Sequence, residues 1–320
     1  MTLKVLVTRR ISGPALDELA LRYDVTVNPE DRELTADEFY TLALDCHGLI
    51  SMNSDRIDRA FIESHPDLRV ISNYAVGYNN IDLAAAKERG LVVTNTPGVL
   101  TEATADLAWA LIMAACRRVP EADRFTREGM FQGWGPEMFL GVDIHGQTIG
   151  VVGLGRIGLA VARRAAGFGM RILYYSRSAH PEAESSLGAV RMELDALLRE
   201  SDIVSLHTPL TPETVHLIDR RRIGLLKPTA VLVNTARGPV LDEAALAEAL
   251  REKRIFAAGL DVYENEPRLH PGLRELSNVV LLPHLGSGTF ETRRRMTRLA
   301  VDNLTAALEG RAPAHPVPLP

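Results

Sequence analysis

The chain has 320 residues, 46% of them hydrophobic and 24% charged, which is material for two ordinary domains and excludes wholesale disorder. Its 36 basic and 41 acidic residues leave a net charge of −5 without any like-charge block, so no nucleic-acid partner is expected. Two cysteines, Cys46 and Cys116, are too few for a disulfide framework and lack the company of a zinc site, so no metal is expected either. The segment MTLKVLVTRR enters a strand-like run without a signal-peptide pattern. The longest nearly continuous apolar stretch, Leu107 to Cys116, is about half the ~20 residues of a membrane span. A cytoplasmic chain without a membrane partner is the expectation.

In chain order, strands are expected at Leu3–Val7, Asp24–Val27, Gly48–Ser51, Arg69–Ser72 and Leu91–Thr94. Helices near 14–22, 35–44, 58–63 and 82–88 alternate with them, the rhythm of a parallel sheet covered on both faces. Thr96-Pro97-Gly98 breaks that rhythm. A long helix from about Thr101 to Arg118 follows, with Thr101 able to cap it, and a second helical stretch covers Glu121–Met130. The loop FQGWGPEMFLG is rich in aromatic residues and is expected to pack against another surface. From Gln147 the α/β rhythm restarts, with strands at 148–152, 171–175, 202–206, 230–234, 256–260 and 279–282. A last helix spans 290–309, with Met296, Leu299, Leu304 and Leu308 on one face. The proline-rich tail is expected to be loose.

The segment Gly153-Leu154-Gly155-Arg156-Ile157-Gly158 has GxGxxG spacing, follows an apolar strand and opens a helix, the context a dinucleotide loop demands. Gly153 permits the turn, Gly155 lets a pyrophosphate approach the backbone, and Gly158 lets helix pack on strand. The free N–H groups of the helix amino terminus suit phosphates. The next strand ends in Ser176-Arg177-Ser178 where an acid would grip a ribose 2′-hydroxyl. Hydroxyls and a guanidinium welcome a 2′-phosphate instead, which favours NADP(H), with NAD(H) still possible.

Three polar residues fall just past strand ends, where open α/β sheets place their chemistry: Arg237, Glu266 and His284. Singly, each has a bland explanation as an ion-pair partner, a solvated acid or a loop histidine. A cation, an acid and an imidazole at successive strand ends beside a dinucleotide loop argue for a site.

With these segments in view the chain resembles the D-isomer-specific 2-hydroxyacid dehydrogenases from end to end. The resemblance rests on Asn73–Asp82, Gly153–Gly158, Leu206–Thr211, Asn234–Gly238, Asp261–Pro267 and Leu282–Ser287. Trp134–Gly141 and Tyr-Tyr-Ser-Arg-Ser at 174–178 carry a closer likeness to the glyoxylate/hydroxypyruvate reductases. The resemblance implies two doubly wound parallel-sheet α/β domains. A flavodoxin-like substrate domain would take 1–99 plus 289–320, and a Rossmann cofactor domain 100–288, with the cleft at their junction. It also implies NAD(P)H-dependent reduction of a small 2-keto acid, glyoxylate or hydroxypyruvate, to the 2-hydroxy acid.

In that reaction Arg237 would hold the substrate carboxylate, His284 would donate the proton, and Glu266 would orient His284 and stabilise its charge. The backbone N–H groups of Val76 and Gly77 would also meet the carboxylate. Thr104, His207, Thr208, Pro209 and Thr214 would contact the cofactor. So would Thr235, Ala236, Arg237, Asp261, His284 and Gly286, with Asp261 toward the nicotinamide amide. A homodimer is implied, its contact drawn from the 101–130 arm and the aromatic loop. Oxidation of D-lactate, 3-phosphoglycerate or phosphite remains the alternative within this chemistry. A nucleotide-sensing interaction protein is the alternative outside it.

Overall fold

The computed structural model describes every residue except Met1 and Ser12. The chain divides into two compact units, Met1–Leu100 with Ser287–Pro320, and Thr101–Gly286.

The first unit alternates β1 (Lys4–Val7), α1 (Pro14–Ala20), β2 (Asp24–Val27), α2 (Ala36–Ala43), β3 (Gly48–Ser51), α3 (Arg59–Ser64), β4 (Val70–Asn73), α4 (Leu83–Glu88) and β5 (Val92–Thr94). The strands form one parallel sheet in the flavodoxin-like order β2-β1-β3-β4-β5. β3 and β4 are buried along their whole length, as strands covered on both faces must be. Short polar residues start the helices: Thr35 makes a reciprocal capping box with Glu38, while Asp58 and Asp82 each accept an amide of the first turn.

The second unit opens with α5 (Thr101–Cys116) and α6 (Val119–Arg127) and continues through β6 (Thr148–Val152), α7 (Arg156–Gly167), β7 (Arg171–Tyr175), α8 (Pro181–Leu187) and β8 (Val190–Arg191). α9 (Leu194–Glu200), β9 (Ile203–Leu206), α10 (Arg220–Ile223), β10 (Val231–Asn234), α11 (Glu243–Arg251), β11 (Ala257–Leu260), α12 (Pro271–Arg274) and β12 (Val279–Leu281) complete it. Its seven parallel strands run β8-β7-β6-β9-β10-β11-β12, the Rossmann order with one further strand. β8 is the strand the sequence pattern missed. At two residues, both exposed, it carries no periodicity to read.

The chain then returns to the first unit as α13 (Phe290–Leu308), which packs on β3, β4 and β5. Gly48 makes room for it, since a Cβ there would lie 3.1 Å from Leu304 and 3.2 Å from Leu308. Ser72 donates to the Ala300 carbonyl at 2.9 Å, and the Tyr74 hydroxyl to that of Arg293 at 2.7 Å.

The tail corrects the expectation of a loose end. Pro316 bridges Thr94 in antiparallel fashion, Val317 N donates to Val93 O at 2.8 Å, and the Val317 side chain joins the buried core. β5 is an edge strand, and the tail satisfies backbone groups that the sheet leaves open. Smaller differences concern boundaries: Thr101 is already helical, and α6 starts at Val119 rather than Glu121. Proline is tolerated in a first turn, so Pro120 does not delay α6. The loop after α6 keeps Phe131 and Leu140 more than half exposed and Trp134 83% exposed. Among the described residues, only Phe139 of its aromatic side chains finds ring partners, Phe125 and the Arg118 guanidinium.

Candidate active site

The strand order of the second unit reverses between β6 and β9, and an open α/β sheet binds ligands at the carboxyl ends beside such a reversal. The glycine loop follows β6. Gly153 has φ +94, and a Cβ there would lie 2.8 Å from the carbonyl carbon of His207, which follows β9. A Cβ on Gly158 would fall 2.1 Å from Gly153 O, so that glycine is fixed by packing. Around Gly155 there is open space beyond 4 Å, and Gly155 is the N-cap of α7 without a side chain to close it. Leu154 is 1% exposed and belongs to the core, so only its backbone can face a ligand. Arg156 is exposed on the first turn and Ile157 half-buried.

Polar atoms left without partners mark the same edge. His207 Nδ1, Thr208 Oγ1 and Thr235 Oγ1 are buried without a hydrogen-bond partner among the described residues. His207 Nε2 meets Ser205 Oγ at 2.8 Å, and desolvation pulls the ring's pKa down to about 3, so it is neutral. Buried polar groups of this kind are ordinarily satisfied, and a polar ligand would do so here. Together with the open N-terminus of α7, they fit a dinucleotide. Thr214 donates to Pro209 O at 2.7 Å and so folds the loop that carries Pro209. Ser176, Arg177 and Ser178 lie past β7, with Arg177 and Ser178 exposed and Ser176 Oγ 3.3 Å from His180 Nε2. Arg191 of β8 donates to the carbonyls of Ser176 and Arg177 at 3.0 and 2.9 Å. That second guanidinium was missed because β8 was, and the pairing of β8 beside β7 is what brings it there.

Arg237, Glu266 and His284 follow β10, β11 and β12, which are adjacent in the sheet. Asn234 shapes the first turn: its Oδ1 accepts from Ala236 N at 3.0 Å and its Nδ2 donates to Arg237 O at 3.0 Å. Gly238 lets the next turn close, since a Cβ there would lie 1.8 Å from the Tyr263 carbonyl carbon. Desolvation lowers the pKa of Arg237, and the Glu266 charge opposes that. Asp261 binds the loop after β12 from below. Its two carboxylate oxygens accept from Leu285 N at 2.6 Å and Gly286 N at 2.8 Å, and its carbonyl accepts from His284 N at 3.0 Å. Burial raises the Asp261 pKa, and the two amide bonds counter it. Thr104 Oγ1 donates to Gly286 O at 2.9 Å, adding α5 to the same anchor.

Held in this way, His284 takes φ +55, a left-handed backbone that a non-glycine residue keeps only when its surroundings enforce it. Its Nδ1 lies 2.8 Å from Glu266 Oε2, while Glu266 Oε1 accepts from Tyr263 N at 3.0 Å. Burial raises the Glu266 pKa, but the His284 hydrogen bond and charge outweigh it, and the carboxyl ends below its usual range. His284 Nε2 has no partner among the described residues. The triad can therefore present a fixed cation and a ring nitrogen whose opposite nitrogen is tied to a carboxylate.

Behind the triad lies an acidic pair that sequence reasoning did not single out. Glu264 Oε1 accepts from Glu243 N at 2.8 Å, Glu243 Oε1 accepts from Glu264 N, and Glu264 also meets His216 at 3.3 Å. Burial, then the Glu264 and Glu266 charges, push the Glu243 carboxyl up to about 7. Among the described residues no group of His, Cys, Asp or Glu is arranged to hold a metal, and no helix is long and apolar enough to cross a membrane.

Comparison with known proteins identifies the family. The model of the NAD-binding domain of D-isomer-specific 2-hydroxyacid dehydrogenases matches residues 109–286. The chain belongs to this family. It is therefore an oxidoreductase acting on the CH–OH group of its donors. It is 52% identical over 314 residues to a glyoxylate reductase of Thermococcus kodakarensis, covering 97% of this chain and 94% of that one. Among solved structures it resembles a protein of Thermus thermophilus, with TM-score 0.92 and 48% identity, covering 99% of this chain and 100% of that one. It also resembles the NADPH-dependent glyoxylate/hydroxypyruvate reductase of Sinorhizobium meliloti, solved with NADP and malonate. There the TM-score is 0.86 and the identity 34%, covering 99% of this chain and 97% of that one.

Proposed function

We propose that this dehydrogenase reduces glyoxylate, and with it hydroxypyruvate, to glycolate and D-glycerate, with NADPH preferred over NADH. The observation that carries the reading is the 2.8 Å contact between His284 Nδ1 and Glu266 Oε2. Relatives and solved neighbours named for glyoxylate support the substrate. The Ser176-Arg177-Ser178 end of β7, backed by Arg191, supports the cofactor preference, since cationic and hydroxyl donors suit a 2′-phosphate.

In this reading a bound nicotinamide dinucleotide, held by the glycine loop, His207, Thr208 and Thr235, supplies the hydride. Arg237 holds the keto acid's carboxylate and stabilises the negative charge that develops on its carbonyl oxygen, a task for which a desolvated cation is well suited. His284 Nε2 gives its proton to that oxygen, while Glu266 keeps Nδ1 as a donor and fixes the plane of the ring. In the reverse direction neutral His284 takes the proton back. The backbone N–H groups of Val76 and Gly77 are, in the same reading, carboxylate donors of the first unit. We further propose a homodimer built on α5, α6 and the exposed apolar loop after them, supported by the exposure of Phe131, Trp134 and Leu140.

Initial rates with NADPH and NADH against glyoxylate, hydroxypyruvate and pyruvate test the reading. Fast NADPH oxidation with the first two acceptors is expected. A preference for NADH would overturn the cofactor assignment, and turnover with neither acceptor would overturn the substrate. His284→Ala is expected to lower kcat by about two or more orders of magnitude.

A further inference from the structure

The loop after β4 in the first unit has a backbone arrangement that its sequence does not advertise. Three successive carbonyls are tied down: Ala75 O accepts from Thr96 N at 2.9 Å, Val76 O from Asn95 Nδ2 at 2.7 Å, and Gly77 O from Asn73 Nδ2 at 2.8 Å. In a planar trans peptide the N–H points opposite to the carbonyl. Fixing these three carbonyls therefore turns the N–H groups of Val76, Gly77 and Tyr78 to the other side. None of the three has a hydrogen-bond partner among the described residues, whereas Tyr74 N and Ala75 N before them and Ile81 N after them are all satisfied. Successive unpaired backbone N–H groups in a turn are the material of anion-binding concavities.

The two asparagines are themselves held. Asn73 is fully buried, and its Oδ1 accepts from Ser51 Oγ at 3.1 Å and Asn80 Nδ2 at 3.4 Å. That leaves Nδ2 as the group facing Gly77 O, so the amide cannot be turned over without losing bonds at both ends. Asn95 is fixed through its backbone. Its carbonyl accepts from Asn303 Nδ2 of α13 at 3.2 Å, and its N–H donates to His315 O of the returning tail at 3.3 Å. His315 N in turn donates to Asn303 Oδ1 at 3.3 Å.

We propose that Asn73 and Asn95 are positioning residues that preset residues 76–78 as a three-amide cradle for the substrate carboxylate, with the N–H of Tyr78 as a donor beside those of Val76 and Gly77. The inference rests on the proposed reading that this loop meets the carboxylate, and it adds a third donor and the side chains that aim all three. α13 and the tail then act on substrate affinity through Asn95 without touching substrate. A cradle that engages the carboxylate equally before and during the reaction contributes uniform binding, so its loss raises KM and leaves kcat in place.

The test pairs kinetics with a direct view of the amides. Asn95→Leu keeps the approximate shape and removes the donor to Val76 O, and Asn73→Ser shortens the donor to Gly77 O. Each is expected to raise KM for glyoxylate about five- to tenfold, the worth of one hydrogen bond, with kcat and KM for NADPH nearly unchanged. In parallel, full-length enzyme labelled with 15N at valine, glycine and tyrosine is saturated with NADPH and titrated with oxamate, a keto-acid analogue that keeps the carboxylate. Shifts at the amides of residues 76, 77 and 78 together are expected. Amides that respond in the unsubstituted enzyme while both variants keep the original KM would overturn the clamp and leave the carboxylate reading standing. A fall in kcat at constant KM would mark the asparagines as merely structural and likewise overturn it. Silence at all three amides would overturn the carboxylate reading and the cradle with it. Should neither variant fold, the titration decides: a response at 76 and 77 without 78 overturns the three-amide cradle.

Discussion

Replacing Glu243 with glutamine should make this protein more stable at alkaline pH while leaving it nearly unchanged in mild acid. Glu243 is 4% exposed and sits at the start of α11, and burial with the nearby Glu264 and Glu266 charges raises its pKa from the ordinary 4.5 to about 7. The folded state thus holds a proton that the unfolded chain releases. Stability from this group is fully present below about pH 4.5 and is lost as pH rises through about 7. The displacement corresponds to about 3 kcal/mol in favour of the protonated form. Glutamine is neutral throughout and keeps the oxygen that accepts from Glu264 N. Urea unfolding midpoints measured at about pH 4 and about pH 8 would read the difference. The variant should gain up to about 3 kcal/mol over the unsubstituted protein at the higher pH and almost nothing at the lower. Parallel pH profiles for the two proteins would refute the reasoning, because they would mean that Glu243 titrates as an ordinary solvated acid.

Gly153→Ala places a methyl 2.8 Å from the His207 carbonyl at φ +94, so a loss of about 2 kcal/mol or more in stability and a raised KM for NADPH are expected in melting and kinetic assays. Glu266→Gln removes the carboxylate that His284 holds charged below its usual range, and kcat for glyoxylate should fall at least about tenfold while the NADPH dissociation constant stays put. Val317→Ala hollows the point where the tail enters the first unit's core, and denaturation should show a loss of about 2 kcal/mol.

Much of this was legible in the sequence, and the reasons are specific. Fully buried parallel strands such as Val231–Asn234 read as apolar runs alternating with helical segments. The glycine loop was readable because each glycine answers a separate steric demand, two of them now visible as atoms that a Cβ would strike. Arg237, Glu266 and His284 stood out as polar residues in the loops that follow apolar strands, and the structure brings Glu266 and His284 into contact. What escaped depends on contacts between distant residues. Arg191 matters through the pairing of a two-residue strand, and Glu243 through a reciprocal bond to Glu264, 21 positions later. The tail read as loose because prolines suppress periodicity, yet Pro316 and Val317 dock on β5. None of these leaves a local pattern to find.

The return of α13 to the first sheet bears on how the molecule is made. A ribosome releases β1 to β5 first, but the helix that covers Gly48 and Ser72 is encoded after the whole second unit. The nascent first unit must wait with the apolar faces of β3 and β4 uncovered, while the second unit has all of its own strands in hand by Leu281 and can finish first. A message truncated just before Phe290 would therefore yield a chain with one completed domain and one sticky, unfinished sheet. Protein quality control would meet that product as an aggregation hazard, even though every residue of the triad had already been translated.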